Sequence, residues 1–381
     1  MQVTENPQPA NQDDDLAHWL RLQQSVGLAG AQRLLARFGL PGTIFRAGYA
    51  ALHEVVAAPL ARALTAPPPA ALARQIDTTL TWLQQPGNTI LTLADPAYPP
   101  SLLSIADPPL LLYLKGRPEL LSRAALAVVG SRNASAQGLA NAEHFSLALS
   151  EAGLTIVSGL ALGIDAAAHR GGLRGAASSV AVIGTGADIV YPRANRSLAH
   201  LIAEQGCIVS EYALGMPAMP ANFPRRNRLI SGLARGVLVI EAAARSGSLI
   251  TARLAGEQGR DVFAIPGSIH SALAKGCHSL IKEGAKLVES AADVLQELRM
   301  GPDGAPCATC APSAGSRTPH AALLAALGYD PAGADALAAR AGLDAAAVIG
   351  QLLELELGGL VERLPGGLFQ RVVVGLVPQG T

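Results

Sequence analysis

The sequence predicts an α/β protein built around a doubly wound, mostly parallel sheet. From about residue 89 to residue 297, short and nearly continuous apolar runs alternate with stretches of helical periodicity. Parallel strands that are covered by helices on both faces have this near-continuous apolar character. In addition, most of the runs end in a Gly/Ser loop from which a helical pattern starts, as in an extended Rossmann-like fold.

The segment before the sheet is predicted to be helical. Residues 1–12 are polar and contain proline, so we expect them to be disordered. In residues 13–85, apolar side chains recur at the three- and four-residue steps of a helix. Residues 26–30 are similar to a helix-hairpin-helix turn, but Ala29 stands where the usual hairpin has its second glycine. We therefore rank phosphate binding by this turn below plain helical packing. The module as a whole is predicted to be of the helix-hairpin-helix or SAM-like type.

The core, residues 86–297, contains eight apolar runs that we interpret as strands. They lie at residues 90–93, 110–114, 125–129, 154–157, 179–183, 207–209, 236–240 and 261–265. In sheets of this kind, ligands bind beyond the carboxyl ends of the strands. The Gly/Ser loops that follow the runs should therefore line one common site.

The C-terminal region has the pattern of a winged helix. Residues 298–318 are rich in Gly, Pro and Ser, which is typical of a flexible linker. In residues 319–375, three short helical patterns precede two apolar runs that are joined by a Pro-Gly-Gly turn. The third helical pattern carries acidic residues and no Lys or Arg, whereas a helix that reads DNA is basic. We expect this module to contact protein, or to bind nucleic acid weakly through Arg363 and Arg371.

Composition argues against a membrane span and a secretory leader. The chain has 29 basic and 29 acidic side chains, and no apolar run approaches the roughly 18 residues of a membrane span. The first fifteen residues carry Asp and Glu but no Lys or Arg, which is the wrong charge for a signal peptide. We expect a cytoplasmic protein.

The four cysteines do not predict a metal site. Cys307 and Cys310 form one CxxC in the linker, but a zinc site needs four ligands and no second pair lies near. Cys207 and Cys277 are solitary, and we expect them to be reduced core residues. Neither a metal nor another cofactor is predicted.

Motifs for nucleotide and hydrolytic chemistry are incomplete. The chain lacks the Gly-Lys-Ser/Thr of a Walker loop, and Gly184-x-Gly186 lacks the third glycine of a dinucleotide fingerprint. No Gly-x-Ser-x-Gly nucleophile elbow occurs. Asp165 and His169, at i and i+4 of a predicted helix, could form a metal or acid/base pair, but a hydrogen-bonded structural pair is the commoner explanation. We therefore expect a protein that is not an enzyme.

The Gly/Ser loops instead favour the binding of phosphate groups. Each of three loops directly precedes a predicted helix, where amide donors and partial positive charge favour an anion. Several such loops side by side suit a polymer of phosphates better than a single nucleotide. The expected phosphate-binding residues are Gly130, Ser131, Arg132, Gly159, Gly163, Ser246, Gly247 and Ser248.

The strongest local signal is the Asn-Phe-Pro-Arg-Arg-Asn-Arg sequence of residues 222–228, which we interpret as a loop that opens a short helix at about residue 227. No Asp or Glu occurs from residue 212 to residue 240, although the chain has no net charge. Guanidinium groups match phosphate oxygens, and a neighbouring aromatic ring can stack on an unpaired base. The arginines could instead pair with carboxylates elsewhere, but the nearby phosphate-binding loops favour a nucleic acid. Because stacking on the aromatic ring requires unpaired bases, a single strand is favoured over a duplex. The expected contact residues are Phe223, Arg225, Arg226, Asn227 and Arg228.

In six segments the sequence resembles the DprA/Smf family, bacterial DNA-processing proteins of natural transformation. The segments are VGSR at 129–132, SGLALGIDAAAH at 158–169, GTG to YPR at 184–193, NFPRRNR at 222–228, RSGSLIT at 245–251 and FAIPGS at 263–268. The resemblance is dense over about residues 88–297 and looser in the flanking modules. It departs from some members just before Asn222, where this chain has Met-Pro-Ala, so the outer edge of the groove is not fixed.

The resemblance implies a core that binds single-stranded DNA cooperatively as a homodimer, and double-stranded DNA more weakly. It also implies protection of incoming strands, help in displacing single-strand binding protein, and loading of the RecA recombinase. In the family, the late core segment is tied to self-association and recombinase contact. Its counterparts here are His278, Leu280, Ile281, Lys282 and Leu287. Leu280, Ile281 and Leu287 could form one apolar patch, but packing inside the monomer is an equally good local interpretation.

Two alternatives come from other classes of protein. Nucleotide phosphoribohydrolases share a related fold, but they use a Pro-Gly-Gly-x-Gly-Thr loop, and at the comparable place residues 241–248 have a different sequence. A structural adaptor that acts through the winged helix would have no affinity for oligonucleotides.

Overall fold

The structure, a computed structural model, describes residues 12–300 and 320–372. Nearly all of the segment predicted to be disordered and most of the predicted linker lie outside these residues. The linker pair Cys307 and Cys310 lies outside them too.

Six short helices precede the sheet. Their bounds are α1 Gln12–Ser25, α2 Leu28–Phe38, α3 Pro41–Arg46, α4 Tyr49–His53, α5 Ala58–Thr65 and α6 Ala70–Leu83. Their apolar faces enclose a core that includes the buried Trp19 and Trp82. The same core contains Leu111 and Tyr113, which belong to the sheet, so the helical module packs directly on one end of it.

A nine-stranded sheet forms the centre of the molecule. Its strands are β1 Asn88–Thr92, β2 Leu111–Gly116, β3 Ala125–Val129, β4 Thr155–Ser158, β5 Ser179–Val182, β6 Cys207–Ser210, β7 Gly236–Val239, β8 Asp261–Ala264 and β9 Lys286–Leu287. They lie in the order β1-β2-β6-β5-β4-β3-β7-β8-β9. The β1–β2 and β2–β6 pairs are antiparallel, and the other neighbours are parallel. The prediction of a mostly parallel, Rossmann-like sheet is confirmed.

Helices cover both faces of the sheet. They are α7 Pro100–Leu103, α8 Ala136–Glu151, α9 Ile164–Arg174, α10 Arg196–Gln205, α11 Asn222–Leu233, α12 Ser248–Glu257, α13 Lys275–Lys282 and α14 Ala291–Glu297. Successive residues of a strand point to opposite faces. Val180 and Val182 accordingly pack with α11 and α12 on one face, while Ala181 packs with α10 on the other.

The helix α11 differs from the expectation for the arginine-rich stretch. The sequence suggested a loop that opens a helix at about residue 227, but α11 already begins at Asn222. Pro224 is compatible with this start, because it lies in the first turn, where a backbone N–H has no intrahelical acceptor. Helical geometry therefore points the successive arginine side chains in different directions.

The C-terminal module consists of three helices and a small sheet. Its elements are α15 Ala321–Leu327, β10 Ala332–Gly333, α16 Ala334–Ala341, α17 Ala345–Leu357, β11 Val361–Leu364 and β12 Leu368–Arg371. The strands form an antiparallel sheet in the order β10-β12-β11, and the β11–β12 hairpin is the wing. Leu337, Val348 and Leu352 are fully buried in its separate core. The predicted winged-helix arrangement is confirmed.

Among the described residues, no single helix is long and apolar enough to cross a membrane. The bent pair Ala334–Ala341 and Ala345–Leu357 meets the length and composition criterion only when its two helices are counted together.

Candidate nucleic-acid interface

An open cavity of about 660 Å³ lies at the carboxyl ends of the central parallel strands. We call it the rim cavity. It brings together the loop after β3, the start of α11 and the start of α12. Nine residues that the sequence singled out line it: Gly130, Ser131, Arg132, Phe223, Arg226, Asn227, Ser246, Gly247 and Ser248. The cavity is also lined by Asn133, Tyr191 and Arg245, which were not among the predicted contact residues.

The loop after β3 is held tightly by its neighbours, so that Arg132 extends from a fixed base. The backbone N–H of Ser131 donates to the Glu241 carbonyl at 2.7 Å, and the Ser131 carbonyl accepts from Ile164 at 3.1 Å. A Cβ on Gly130 would lie 2.6 Å from the Ile164 side chain, which only glycine avoids. The Arg132 side chain itself is exposed. The loop thus presents one free guanidinium to the cavity.

The glycines of the 159–163 loop act from behind the cavity. Neither Gly159 nor Gly163 lines it. Gly163 has φ +75°, and a Cβ there would lie 2.6 Å from the Arg132 carbonyl oxygen. Gly163 therefore permits close packing of the loop that carries Arg132, whereas Gly159 packs on the side chains of Arg226 and Asp165. The direct phosphate contact expected of both glycines has no support in their placement.

The start of α12 offers hydroxyl groups and amides to the same cavity. The hydroxyls of Ser246 and Ser248 are 2.7 Å apart, and α12 begins at Ser248. Nothing lies within 4 Å of a Cβ placed on Gly247, so the backbone is open to an approaching anion. Arg245 is exposed beside them.

Two aromatic rings lie together at the cavity wall. The Phe223 and Tyr191 rings have centroids 5.5 Å apart and are tilted by 40°. Phe223 packs on Gly184, whose added Cβ would lie 3.1 Å from the ring. Tyr191 is 50% exposed. The Tyr-Pro-Arg motif contains this tyrosine, but nothing local in the sequence indicates that its ring lies beside Phe223.

Arg226 forms part of the floor of the cavity. Its side chain is buried, and one guanidinium nitrogen donates to the carbonyls of Gly159 (2.7 Å) and Val182. Burial lowers the pKa of Arg226 to about 10, although the nearby Asp165 opposes this shift. The group therefore remains charged at neutral pH and makes the floor of the cavity positive.

Arg228 forms ion pairs inside the protein, whereas the sequence predicted a phosphate contact for it. Its guanidinium donates to both carboxylate oxygens of Glu211, at 2.7 and 3.1 Å, and to Asp107 at 2.6 Å. Burial opposes its charge, but the two carboxylates outweigh burial and raise the pKa of Arg228. Arg225, 58% exposed, lies 3.8 Å from the same Glu211. Neither Arg225 nor Arg228 lines the rim cavity.

Asp165 and His169 fasten the loop behind the cavity. Asp165 accepts from the backbone amides of Gly159 (3.1 Å) and Ala161 (3.3 Å), and His169 Nε2 accepts from that of Leu160 (3.3 Å). Burial raises the pKa of Asp165, and it lowers the pKa of His169 to about 3. Among the described residues no group of His, Cys, Asp and Glu could hold a metal ion. These contacts favour the structural interpretation of both side chains. The hydrogen bonds join each side chain to the backbone of the loop, whereas the sequence suggested a bond between the two side chains.

The segment tied to self-association lies at the far edge of the sheet. Leu280 is buried in the monomer core, and Ile281 packs against that core. Leu287 in β9 is 43% exposed, and on α13 Lys282 is exposed while His278 is half-buried. The expectation of one apolar patch does not fit this placement, because only Leu287 of the three apolar residues is exposed.

Comparison with known families gives two matches. Residues 89–299 match the family described as DNA recombination-mediator protein A, and residues 308–367 match the DprA winged helix domain. The first match covers the entire parallel part of the sheet.

Two bacterial relatives align with this chain over most of their own length. Protein Smf of Escherichia coli K12 is 44% identical over 298 residues, which are 77% of this chain and 80% of the relative. DNA processing protein DprA of Streptococcus pneumoniae R6 is 52% identical over 206 residues, which are 54% of this chain and 73% of the relative.

Two solved structures have the same fold. The X-ray structure of DprA from Streptococcus pneumoniae superposes with a TM-score of 0.60 at 41% identity, over 74% of this chain and 97% of that one. DprA from Helicobacter pylori, solved in a study of its single-stranded DNA binding mode, gives a TM-score of 0.51 at 28% identity, over 55% and 96% of the two chains.

Proposed function

Because the chain belongs to the DprA/Smf family of DNA-processing proteins, we propose that it binds single-stranded DNA across the rim cavity. One observation carries the proposal: an exposed guanidinium, a helix start and two aromatic rings face a single open cavity. Arg132 and the amides and hydroxyls around Ser248 are suited to phosphate oxygens. The rings of Phe223 and Tyr191 are suited to the face of a base.

Unpaired bases fit this arrangement better than a duplex does. A base can reach an aromatic ring only when it is not stacked within a helix, whereas phosphates are accessible in both forms. Phosphate contacts and stacking on an aromatic ring are possible with every base. We therefore expect little sequence preference and weaker binding of double-stranded DNA.

The biological role that we infer is a recombination mediator in natural transformation. In this role the protein would protect an incoming strand in the cytoplasm, help displace single-strand binding protein, and load RecA. The family description and the similarity to DprA of Streptococcus pneumoniae support this inference. We also propose a homodimer, with Leu287 at the contact and His278 and Lys282 beside it.

The proposal assigns binding without catalysis. Asp165 is the one carboxylate among the described residues that line the cavity, and two backbone amides already occupy it. Glu241, the first residue of the segment compared with the phosphoribohydrolase loop, accepts from the Ser135 hydroxyl at 2.6 Å and from its N–H at 3.0 Å. Both carboxylates already accept hydrogen bonds within the protein, which supports binding without catalysis.

A salt series tests the proposal. Fluorescence titrations with single- and double-stranded oligonucleotides of equal length should show tighter binding of the single strand. Its affinity should fall with salt by about 0.7 log units per log unit of salt for each phosphate neutralised. Equal affinity for the two forms, or no binding of either, would remove the proposal.

An Arg132→Ala variant tests the cavity itself. It should bind the single strand more weakly and reduce the salt slope by roughly 0.7, because one phosphate contact is lost. Arg117→Ala is the matched control, since the Arg117 side chain is 40% exposed but follows the antiparallel β2, at the amino end of β6 and away from the cavity. An Arg132 variant that titrates like wild type, or a control that weakens equally, would exclude this cavity.

A further inference from the structure

The wing of the C-terminal module contacts the core beside the rim cavity. Glu362 of β11 accepts a hydrogen bond from the backbone N–H of Ala136 at 2.8 Å. Ala136 is the first residue of α8, a helix of 16 residues. Ala136 lies three residues after Asn133 in the sequence, and Asn133 lines the cavity. A carboxylate from the far end of the chain therefore lies on a helix start next to the proposed DNA site.

Other groups already occupy the neighbouring donors of this helix start. The Ser135 N–H donates to Glu241 at 3.0 Å, and the Ser135 hydroxyl accepts from Gly138 at 3.0 Å. The Ala136 N–H is the donor that Glu362 takes. A carboxylate oxygen on such an amide has the charge and the geometry of a phosphate oxygen.

Repulsion between two carboxylates weakens this contact. Glu241 and Glu362 bring two negative charges to one helix start. Burial raises the pKa of Glu241, and repulsion from Glu362 adds to that shift. Such repulsion opposes the attraction of the helix start for Glu362, so the wing is held less firmly than a lone carboxylate would be.

The basic residues of the wing do not offset this charge at the contact. The Arg363 guanidinium lies 5.9 Å from the centre of the Phe369 ring, and that of Arg371 lies 5.3 Å from the Tyr329 ring. Both rings belong to the C-terminal module. The side chain that the wing directs at the core is thus the acidic one.

We propose that the wing competes with DNA, because Glu362 occupies a phosphate subsite at the start of α8. A bound strand would place a phosphate on the Ala136 amide and displace the wing. This inference rests on the proposed function, since it names a further contact of the same site and an internal competitor for it.

Glu362→Gln tests the competition in the full-length protein. The variant keeps the shape of the side chain but removes its charge, so a thymidine oligomer should bind roughly two- to fivefold more tightly. Glu356→Gln is the matched control, because Glu356 is an exposed carboxylate of α17 in the same module. It changes the net charge equally and should leave the affinity as in wild type.

The outcomes separate this inference from the proposed function. If wild type binds the oligomer and Glu362→Gln binds it equally or more weakly, the competition is excluded and the proposed function stands. An equal gain in both variants would show a general charge effect and would also exclude it. If wild type binds no oligomer, both proposals fail.

Hydrogen exchange provides a second readout. A saturating thymidine oligomer should increase amide exchange in residues 361–364 of wild type, because the wing leaves the core. In Glu362→Gln the same amides should exchange faster before any DNA is added. Exchange that is unchanged by both DNA and the substitution would overturn the inference.

Discussion

At the scale of single residues, the ring pair of Phe223 and Tyr191 determines how a base can be held. Phe223 rests on Gly184, so its ring has a fixed position, while Tyr191 is half exposed and can adjust. A fixed ring loses little conformational entropy when a base stacks on it. We therefore assign the main stacking contribution to Phe223.

Phe223→Ala should weaken binding of a thymidine oligomer by about 1–3 kcal/mol, the usual contribution of one base–aromatic stack. The measurement is a titration at fixed salt, and the salt slope should stay as in wild type, because no charge is lost. Tyr49→Ala is the control, since Tyr49 is an exposed aromatic of α4 in the N-terminal module. An unchanged affinity in Phe223→Ala, with a normal thermal unfolding curve, would contradict the assignment.

The arginines show what the sequence could not predict at this scale. The window without acidic residues, 212–240, begins directly after Glu211, and that carboxylate binds Arg228 and lies near Arg225. Asp107 reaches Arg228 from a distant part of the chain. Local charge counting therefore overestimated the free positive charge. The exposed Arg132 was identified correctly as lining the cavity, because a Gly/Ser loop after a strand has a defined position in this fold.

At the scale of elements, the loop 159–161 between β4 and α9 is held by two buried side chains. Its amides donate to Asp165 and to His169 Nε2, so the proton of neutral His169 lies on Nδ1, 2.7 Å from the Ser179 hydroxyl. Protonation of Nε2 would remove the acceptor for Leu160. Since this loop packs behind the Arg132 loop, the histidine must stay neutral to keep the site in shape.

This requirement predicts a pH dependence of stability. The pKa of His169 is lowered from 6.5 to about 3 in the folded protein, so the unfolded chain takes up the proton first as pH falls. The stabilising contribution is complete above pH 6.5, and it should be lost by up to about 1.4 kcal/mol per pH unit on going down towards pH 3. Urea unfolding at pH 7, 6 and 5 measures this loss.

His169→Asn is the matched variant, because the amide oxygen can accept a hydrogen bond but the side chain does not titrate. Its unfolding free energy should be lower than that of wild type at pH 7, and the difference should shrink as pH falls. A difference that stays constant from pH 7 to pH 5 would show that His169 is not the titrating group.

The positions of the strands were predicted from the apolar runs, whereas strand direction, one edge strand and one helix start were not. Each of the eight predicted apolar runs overlaps a strand of the sheet, because buried strands are apolar throughout. The reversed direction of β2, which makes both of its pairs antiparallel, and the two-residue β9 were not predicted, since direction and edge pairing depend on partners distant in sequence. The start of α11 was placed too late because Pro224 is a helix breaker except in the first turn.

At the scale of the whole molecule, the two edges of the central sheet differ. The β1 edge packs against the N-terminal helices, and Ile90 contacts their core. At the other edge, β9 pairs with β8 on one side and is the last strand of the sheet. An exposed strand edge can pair with another chain, and Leu287 supplies an exposed apolar side chain there.

We therefore expect a homodimer through the β9 edge, which Leu287→Arg should convert to a monomer. Light scattering measures the mass of each form in solution. Leu103→Arg is the control, because Leu103 is a similarly exposed leucine of α7, away from β9. A dimer presents two rim cavities to one strand, so the monomeric variant should also lose affinity for long oligomers and keep its affinity for short ones. A folded Leu287→Arg variant that still has the mass of a dimer would place the interface elsewhere.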